Sequence, residues 1–331
     1  MGRVPAARCR SMTLRGALGT RLRSALGLRT PLADGAWFEL SDIDRVTESF
    51  FARESLSDPG WAALRDAHLR LPSWFIHGLD PFDAAYAEQQ HRLWQLIAGV
   101  DRPYDAEIDE KEHPWGDVDP IRAPGYFVRR DRAAIDAASD HVIATGMLLK
   151  HCGLSAGDWA LEYGAGFAQS ALALARLGVN VDTIDISSTF CDFVSRQAEF
   201  FRVPLTSFQG RFGANPRPGQ KYNLIWFYES FHHCIDFRAV VAALGDHLAE
   251  GGRVILGGEP IVASEYAAVP YPWGVRLHSE VVAVIRKHHW FELGFSEAFL
   301  YQLFASAGFS GRKIDCEPTV FGRLYVFERT R

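Results

Sequence analysis

The chain has 331 residues, 48% of them hydrophobic and 13% aromatic, with 35 basic and 40 acidic side chains and a formal net charge of -5. That is enough apolar material for one large core with a smaller cap, or for two modest domains. There is no basic footprint of the kind a nucleic-acid site needs against the phosphate field, and no uninterrupted apolar run approaches the ~20 residues that span a bilayer, so a small-molecule substrate is expected and no nucleic acid.

Residues 1–36 open the chain with seven arginines and no acid before Asp34. A disordered tail fits this composition, and so does a basic helix in weak contact with an anionic membrane surface. Met12 is an alternative start. From 37 to 130 a helical N-terminal region and a connecting segment are expected. The stretches Asp42 to Glu54, Trp61 to Leu69 and Phe82 to Ala98 repeat apolar residues at spacings of three and four, and Pro72, Gly78 and Pro81 punctuate them. Between 101 and 130 the chain turns irregular and rich in proline, charge and aromatics, Tyr104 among them. A long connection of this kind lies across a site or packs on the core.

A helix is expected from Asp131 to about Lys150, and strands and helices then alternate. Strands fall near 158–162, 180–185, 205–208, 222–228, 252–257, 311–317 and 322–329, with helices near 167–177, 188–201, 236–249 and 296–307. This pattern predicts an α/β fold over 131–331: a doubly wound, mainly parallel seven-stranded sheet covered on both faces. The last two strands, joined through Pro318 and Gly322, form an edge hairpin. An insertion at 258–295 separates the fifth strand from the last helix. The five cysteines are far apart and form no Cys-x-x-Cys pair, which argues against a disulfide framework and for a reducing cytoplasm.

One segment carries chemistry. Leu161-Glu162-Tyr163-Gly164-Ala165-Gly166-Phe167 reads as a strand running into a glycine turn, and Val181 to Asp185 as a second strand ending in an acid 21 residues beyond Gly164. Gly164 and Gly166 let the backbone turn sharply and approach a ligand, and the following helix aims its free amides at the bound group. Asp185 can accept two hydrogen bonds from a ribose diol, which suits a nicotinamide dinucleotide or S-adenosylmethionine. A dinucleotide would bring its pyrophosphate against Glu162 and wants a third glycine where this chain has Gln169. The sulfonium and ammonium groups of S-adenosylmethionine favour an acid.

These residues resemble the class I S-adenosylmethionine-dependent methyltransferases. The family's acid-x-Gly-x-Gly motif matches Glu162 to Gly166, its second-strand acid matches Asp185, and its fourth strand matches Tyr222 to Glu229. The Glu250-Gly251-Gly252 turn and the closing hairpin match as well. The resemblance covers about 150–331 and implies a Rossmann-like methyltransferase fold with S-adenosylmethionine as cofactor. By it, Glu162 acts near the methionine ammonium group, directly or through water, Gly164 and Gly166 bring backbone to the cofactor, Asp185 holds the ribose, and Ala165, Ile186 and Tyr228 add contacts to the cofactor. Many members have an acid after the third strand. This chain has Phe208-Gln209-Gly210-Arg211-Phe212, which leaves the adenine to backbone at Gly210 and Arg211 or to Phe212.

Methyl transfer from a sulfonium is an in-line displacement, so catalysis is mainly alignment. A hydroxyl acceptor must also lose a proton. His232 or His233 is the candidate base, although histidine at this place is also a packing residue, and Glu229 is suited to bind the acceptor or orient a histidine. In the insertion, Tyr271, Trp273 and Trp290 offer stacking faces and Arg276 an anion partner, the composition of a substrate lid or equally of a packed core. His278, His288 and His289 have no spaced ligand partner, so no metal is expected. The expected function is methylation of a small molecule, favouring oxygen in a sugar, glycan precursor or secondary metabolite. The alternatives are a non-catalytic S-adenosylmethionine-binding scaffold, a protein methyltransferase and a nicotinamide-dependent oxidoreductase.

Overall fold

Strand and helix alternate from residue 159 onward, and the alternation closes into one seven-stranded sheet. A computed structural model describes residues 36–53, 58–110, 118–128, 132–263 and 268–330; the arginine-rich start lies outside them. The elements in chain order are β1 (Trp37–Phe38), α1 (Ile43–Ala52), β2 (His68–Leu69), α2 (Ala84–Ala98), α3 (Arg132–His151), β3 (Trp159–Tyr163), α4 (Gln169–Ala175), β4 (Asn180–Asp185), α5 (Ser188–Phe201), β5 (Leu205–Gln209), β6 (Tyr222–Tyr228), α6 (Phe237–His247) and β7 (Leu248–Gly257). The insertion supplies β8 (Ile261–Val262), β9 (Trp273–Val275), α7 (Ser279–His288) and β10 (Leu293–Ser296), and the chain ends with α8 (Glu297–Ser306), β11 (Phe309–Ile314) and β12 (Leu324–Arg329).

The large sheet runs β11-β12-β7-β6-β3-β4-β5. Its five strands from β7 to β5 are parallel, while β12 is antiparallel to β7 and β11 to β12, which is the expected edge hairpin. Side chains alternate across the pleat. Leu161, Tyr163, Ile225 and Phe227 face one core with Val240, Val241 and Leu244 of α6 and Leu300 and Leu303 of α8. Ala160, Leu224, Trp226 and Ile255 face the other with Leu148 of α3, Ala171 and Leu174 of α4 and Val194 of α5. The chain winds from β3 outward to β5, then returns to place β6 on the other side of β3. The crevice at the carboxyl ends of β3 and β6 is thus the switch point where open α/β sheets bind ligands.

The N-terminal region and the insertion build a cap together. A three-stranded sheet in the order β8-β10-β9 forms within the insertion, and α7 packs on α1 and α2. Tyr86 donates from its hydroxyl to the Trp273 carbonyl at 2.5 Å, Trp94 from Nε1 to the His289 carbonyl at 3.0 Å, and Trp273 from Nε1 to the Pro81 carbonyl at 2.9 Å. Trp61, Trp94 and Trp273 are fully buried. The expected helix over Trp61 to Leu69 does not form. Only the turn Pro59–Ala62 is helical, and His68–Leu69 is a strand, because the Ala67 carbonyl and the Leu69 amide bond to Ser279 and Leu277. Pairing with the insertion overrides the local spacing. Among the described residues no helix is long and apolar enough to cross a membrane.

Candidate active site

The glycine turn after β3 has a left-handed backbone at Gly164 (φ 67°) and Gly166 (φ 50°). A Cβ on Gly164 would lie 2.6 Å from Cβ of Ser230 and 3.1 Å from Cε1 of Phe212, whereas one on Gly166 would meet nothing within 4 Å. The first glycine is required by packing against the turn after β6. The second keeps its backbone open to a ligand. Asp185, at the end of β4, accepts the Gly166 amide on Oδ2 and the Ser187 amide on Oδ1, each at 2.9 Å. It ties the two strand ends together and forms part of a cavity wall.

That cavity has a volume of about 760 Å³. Gly164, Gly166, Asp185, Ile186, Gly210, Arg211 and Phe212 line one end. Glu229, Ser230, His233 and Trp290 lie further along, and the segment 102–110 contributes Tyr104 and Glu110 to the lining. Arg211 ties this segment to the sheet, with Nη2 2.9 Å from Oε1 of Glu107 and 3.7 Å from Oδ1 of Asp105. Glu110 anchors it again, since its Oε1 accepts the Tyr104 hydroxyl at 2.8 Å and the Phe291 amide at 2.7 Å.

Three of the expected cofactor residues, Glu162, Ala165 and Tyr228, do not line the cavity. Glu162 pairs in register with Trp226 and shares its face of the pleat, under the first turn of α4. Its Oε1 accepts from Oγ of Ser170 at 2.5 Å and from Nε1 of Trp226 at 2.8 Å. Burial pushes the carboxyl up to about 8 in spite of these hydrogen bonds. There it supports the turn through Ser170 of α4 and Trp226 of β6. The Tyr228 hydroxyl shares a 2.5 Å hydrogen bond with Nδ1 of His141.

The residues after β6 divide in the same way. Glu229 has a left-handed backbone (φ 50°), lines the cavity, and stands with Oε2 3.5 Å from Nδ1 of His141. The 3₁₀ turn Phe231–His233 is then gathered onto one buried acid, Glu259. Its Oε1 accepts the amides of Ser230 and Phe231 at 2.9 Å, and its Oε2 accepts the His232 amide at 3.1 Å and His232 Nδ1 at 2.8 Å. Burial alone would raise the Glu259 carboxyl, but His232 and these amides outweigh it and hold it below the usual range.

His232 is buried away from the cavity, and burial lowers its affinity for a proton. His233 does line the cavity, with Nδ1 3.2 Å from Oε2 of Glu110. Burial opposes its charge, yet Glu110 and Glu292 prevail and push it up to about 9. Neither histidine is arranged as a free base: the first is enclosed with Nδ1 committed to Glu259, and the second has its affinity for a proton raised by Glu110 and Glu292.

Of the four expected substrate residues only Trp290 lines the cavity, edge-on to His233 with ring centroids 5.9 Å apart. Tyr271 is exposed, and Trp273 is buried beside Tyr86 and Phe237. Arg276 is buried and paired with Glu292, so it is not available to an anion. The insertion is largely cap core because β9 is enclosed between α2 and β10. Sequence reasoning passed over Glu110, Glu259 and Glu292, which are single acids in irregular segments without a diagnostic spacing.

A family profile described as a methyltransferase domain matches residues 160–252, from β3 into β7. Residues 160–252 thus carry the sequence pattern of a methyltransferase domain. Solved structures similar to this chain include the magnesium protoporphyrin IX methyltransferase of Synechocystis, crystallised with S-adenosylhomocysteine, at 15% identity over 63% of this chain and 91% of that one (TM-score 0.44). A second is the 1,6-didemethyltoxoflavin N1-methyltransferase of Burkholderia thailandensis, at 16% identity over 70% and 94% (TM-score 0.45). A third is a methyltransferase from Aquifex aeolicus, at 15% over 60% and 97% (TM-score 0.42). No curated protein matches the chain in sequence.

Proposed function

We propose that this methyltransferase transfers a methyl group from S-adenosylmethionine to a hydroxyl oxygen of a small molecule, such as a sugar, a glycan precursor or a secondary metabolite. The observation that carries the reading is the continuity of one cavity from the glycine turn and Asp185 to Glu229, Glu110 and Trp290. Its volume of about 760 Å³ falls in the range of about 300–1,000 Å³ typical of small-molecule sites. The residues fit the cofactor: space is open at Gly166, Asp185 at the strand end can accept from a ribose, and we assign the adenine to Gly210 to Phe212, which line the same end of the cavity. When bound, the cofactor supplies an electrophilic methyl group on sulfur.

The far end of the cavity offers Tyr104 and Trp290 as flat faces and carboxylates at Glu110 and Glu229. A hydroxyl acceptor must shed its proton as the oxygen–carbon bond forms. With His232 enclosed and His233 turned toward Glu110, we assign that proton to Glu229, which lines the cavity and is held at the strand end by its left-handed backbone. Labelled S-adenosylmethionine incubated with a panel of hydroxylated small molecules and a cell extract tests this. Label is expected in the small-molecule fraction. Glu229→Gln is expected to lower kcat about 10²–10⁴-fold while leaving affinity for S-adenosylhomocysteine within about threefold. Label found only on protein, or a kcat untouched by E229Q, would contradict the reading.

A further inference from the structure

The fold gathers His232, His233 and Glu292 at one point, although Glu292 lies 59 residues further along the chain than His233. One ligand atom from each lies within 4.8 Å of the other two. His232 Nε2 stands 3.7 Å from Oε2 of Glu292. We propose that these three side chains bind a divalent transition-metal ion of the zinc type, behind the stretch of cavity wall that His233 forms.

Three observations converge on this site. The first is its chemistry: two imidazoles and one carboxylate are the donor set of open zinc and non-haem iron centres, which keep a position free for another ligand. Bonds of about 2.1 Å require the three atoms to draw together by about an ångström, a movement that side-chain torsions can supply. The second is the setting of His232. Its Nδ1 donates to Glu259 at 2.8 Å, and Glu259 is itself fixed by three backbone amides. A carboxylate on one ring nitrogen, aiming the other at the ion, is the outer-shell arrangement that ligating histidines use.

The third observation is charge. Glu110, Glu259 and Glu292 are all largely buried around the two histidines, and among the described residues Arg276 is the guanidinium paired with them. Uncompensated buried carboxylates are costly, and a divalent ion offsets the excess. Arg276 pairs with the same Oε2 of Glu292 that faces His232, so the ion would take a remaining acceptor position of that carboxylate, which offers about four in all. His233 Nδ1 lies 3.2 Å from Glu110 without hydrogen-bond geometry. Since His233 lines the cavity, an acceptor oxygen could complete the ion's shell. That last step rests on the methyl-transfer reading; the binding of the ion does not.

The test uses the full chain, stripped with a chelator and titrated with zinc(II) and with cobalt(II). About one equivalent is expected to bind, and the cobalt form should show the visible absorption of a low-coordinate nitrogen–oxygen site. H232Q, H233N and E292Q should each weaken zinc binding at least tenfold, and E259Q about tenfold through the outer shell. The surface variant H151N should leave it unchanged. Because E292Q strips Arg276 of its partner and can unfold the cap, H233N decides: it leaves both the Glu259–His232 and the Arg276–Glu292 pairs in place. Binding well below one equivalent, or binding equal in H233N and wild type, would show that protons on the histidines, not a metal, balance these acids. Thermal stabilisation by S-adenosylhomocysteine is measured on the same samples. Its absence with zinc still bound would sink the methyl-transfer reading alone, and its presence without zinc would sink the metal site alone.

Discussion

The sheet and the cap are built on different length scales. In the sheet, β3, α4 and β4 follow one another within about 30 residues, and Asp185 bonds to Gly166 only 19 positions away. In the cap, Tyr86 bonds to the carbonyl of Trp273 at a separation of 187 residues and Trp94 to that of His289 at 195. The cavity lies where the two meet, so its cofactor end is made by short-range motifs and its far end by long-range pairing.

The sharpest way to break this comparison is to attack the cap core. Trp273→Ala removes a buried indole packed on Tyr86 and Phe237 and should cost about 3–5 kcal/mol, read by denaturant unfolding. A cost near zero would restore the substrate-lid reading. Gly164→Ala comes next. Left-handed backbone costs an L-residue about 1–2 kcal/mol, and the clash with Ser230 and Phe212 adds about 1–3 kcal/mol of overpacking. Gly166→Ala should show only the backbone cost without ligand but lose affinity for S-adenosylhomocysteine, because its new methyl group points into open space. Equal losses of stability in the two variants would contradict the packing account.

Glu162 supplies a signature in pH, read as a slope of the stability profile. Its carboxyl titrates at about 8 in the fold against an ordinary value of 4.5, so between those values the folded chain holds a proton that the unfolded chain has released. Its contribution is intact below about pH 4.5 and lost progressively up to about pH 8, at no more than about 1.4 kcal/mol per pH unit. Glu162→Gln should flatten that part of the stability profile. An unchanged slope would mean that the carboxyl is ionised in place. Smallest in stability is Trp290→Ala on the cavity wall, which is expected to raise KM for the acceptor several-fold and to leave unfolding within about 1 kcal/mol.

The legibility of each part follows from the same difference. The turn at Gly164 to Gly166, Asp185 and the five parallel strands were readable because each depends on neighbours in sequence. Glu162 was readable as a motif but not in its place, since pleat parity sets it with Trp226 beneath α4 rather than with the cavity. His233 was found, but its protonation depends on Glu110 and Glu292, which come from the connecting segment and the insertion. Arg276 and Trp273 had the composition of a lid, and only the pairing of β9 with β10 and α2 shows them as core. The strands of the cap, two to four residues long, carry too little periodicity to be seen.

Calorimetric titration with S-adenosylhomocysteine, set beside a nicotinamide dinucleotide, tests the central claim most directly. The account predicts one site for S-adenosylhomocysteine, weakened about ten- to a hundredfold in Asp185→Ala as a charge-assisted pair of hydrogen bonds is lost, and no heat with the dinucleotide. Binding of the dinucleotide, or S-adenosylhomocysteine affinity that ignores Asp185, would contradict it.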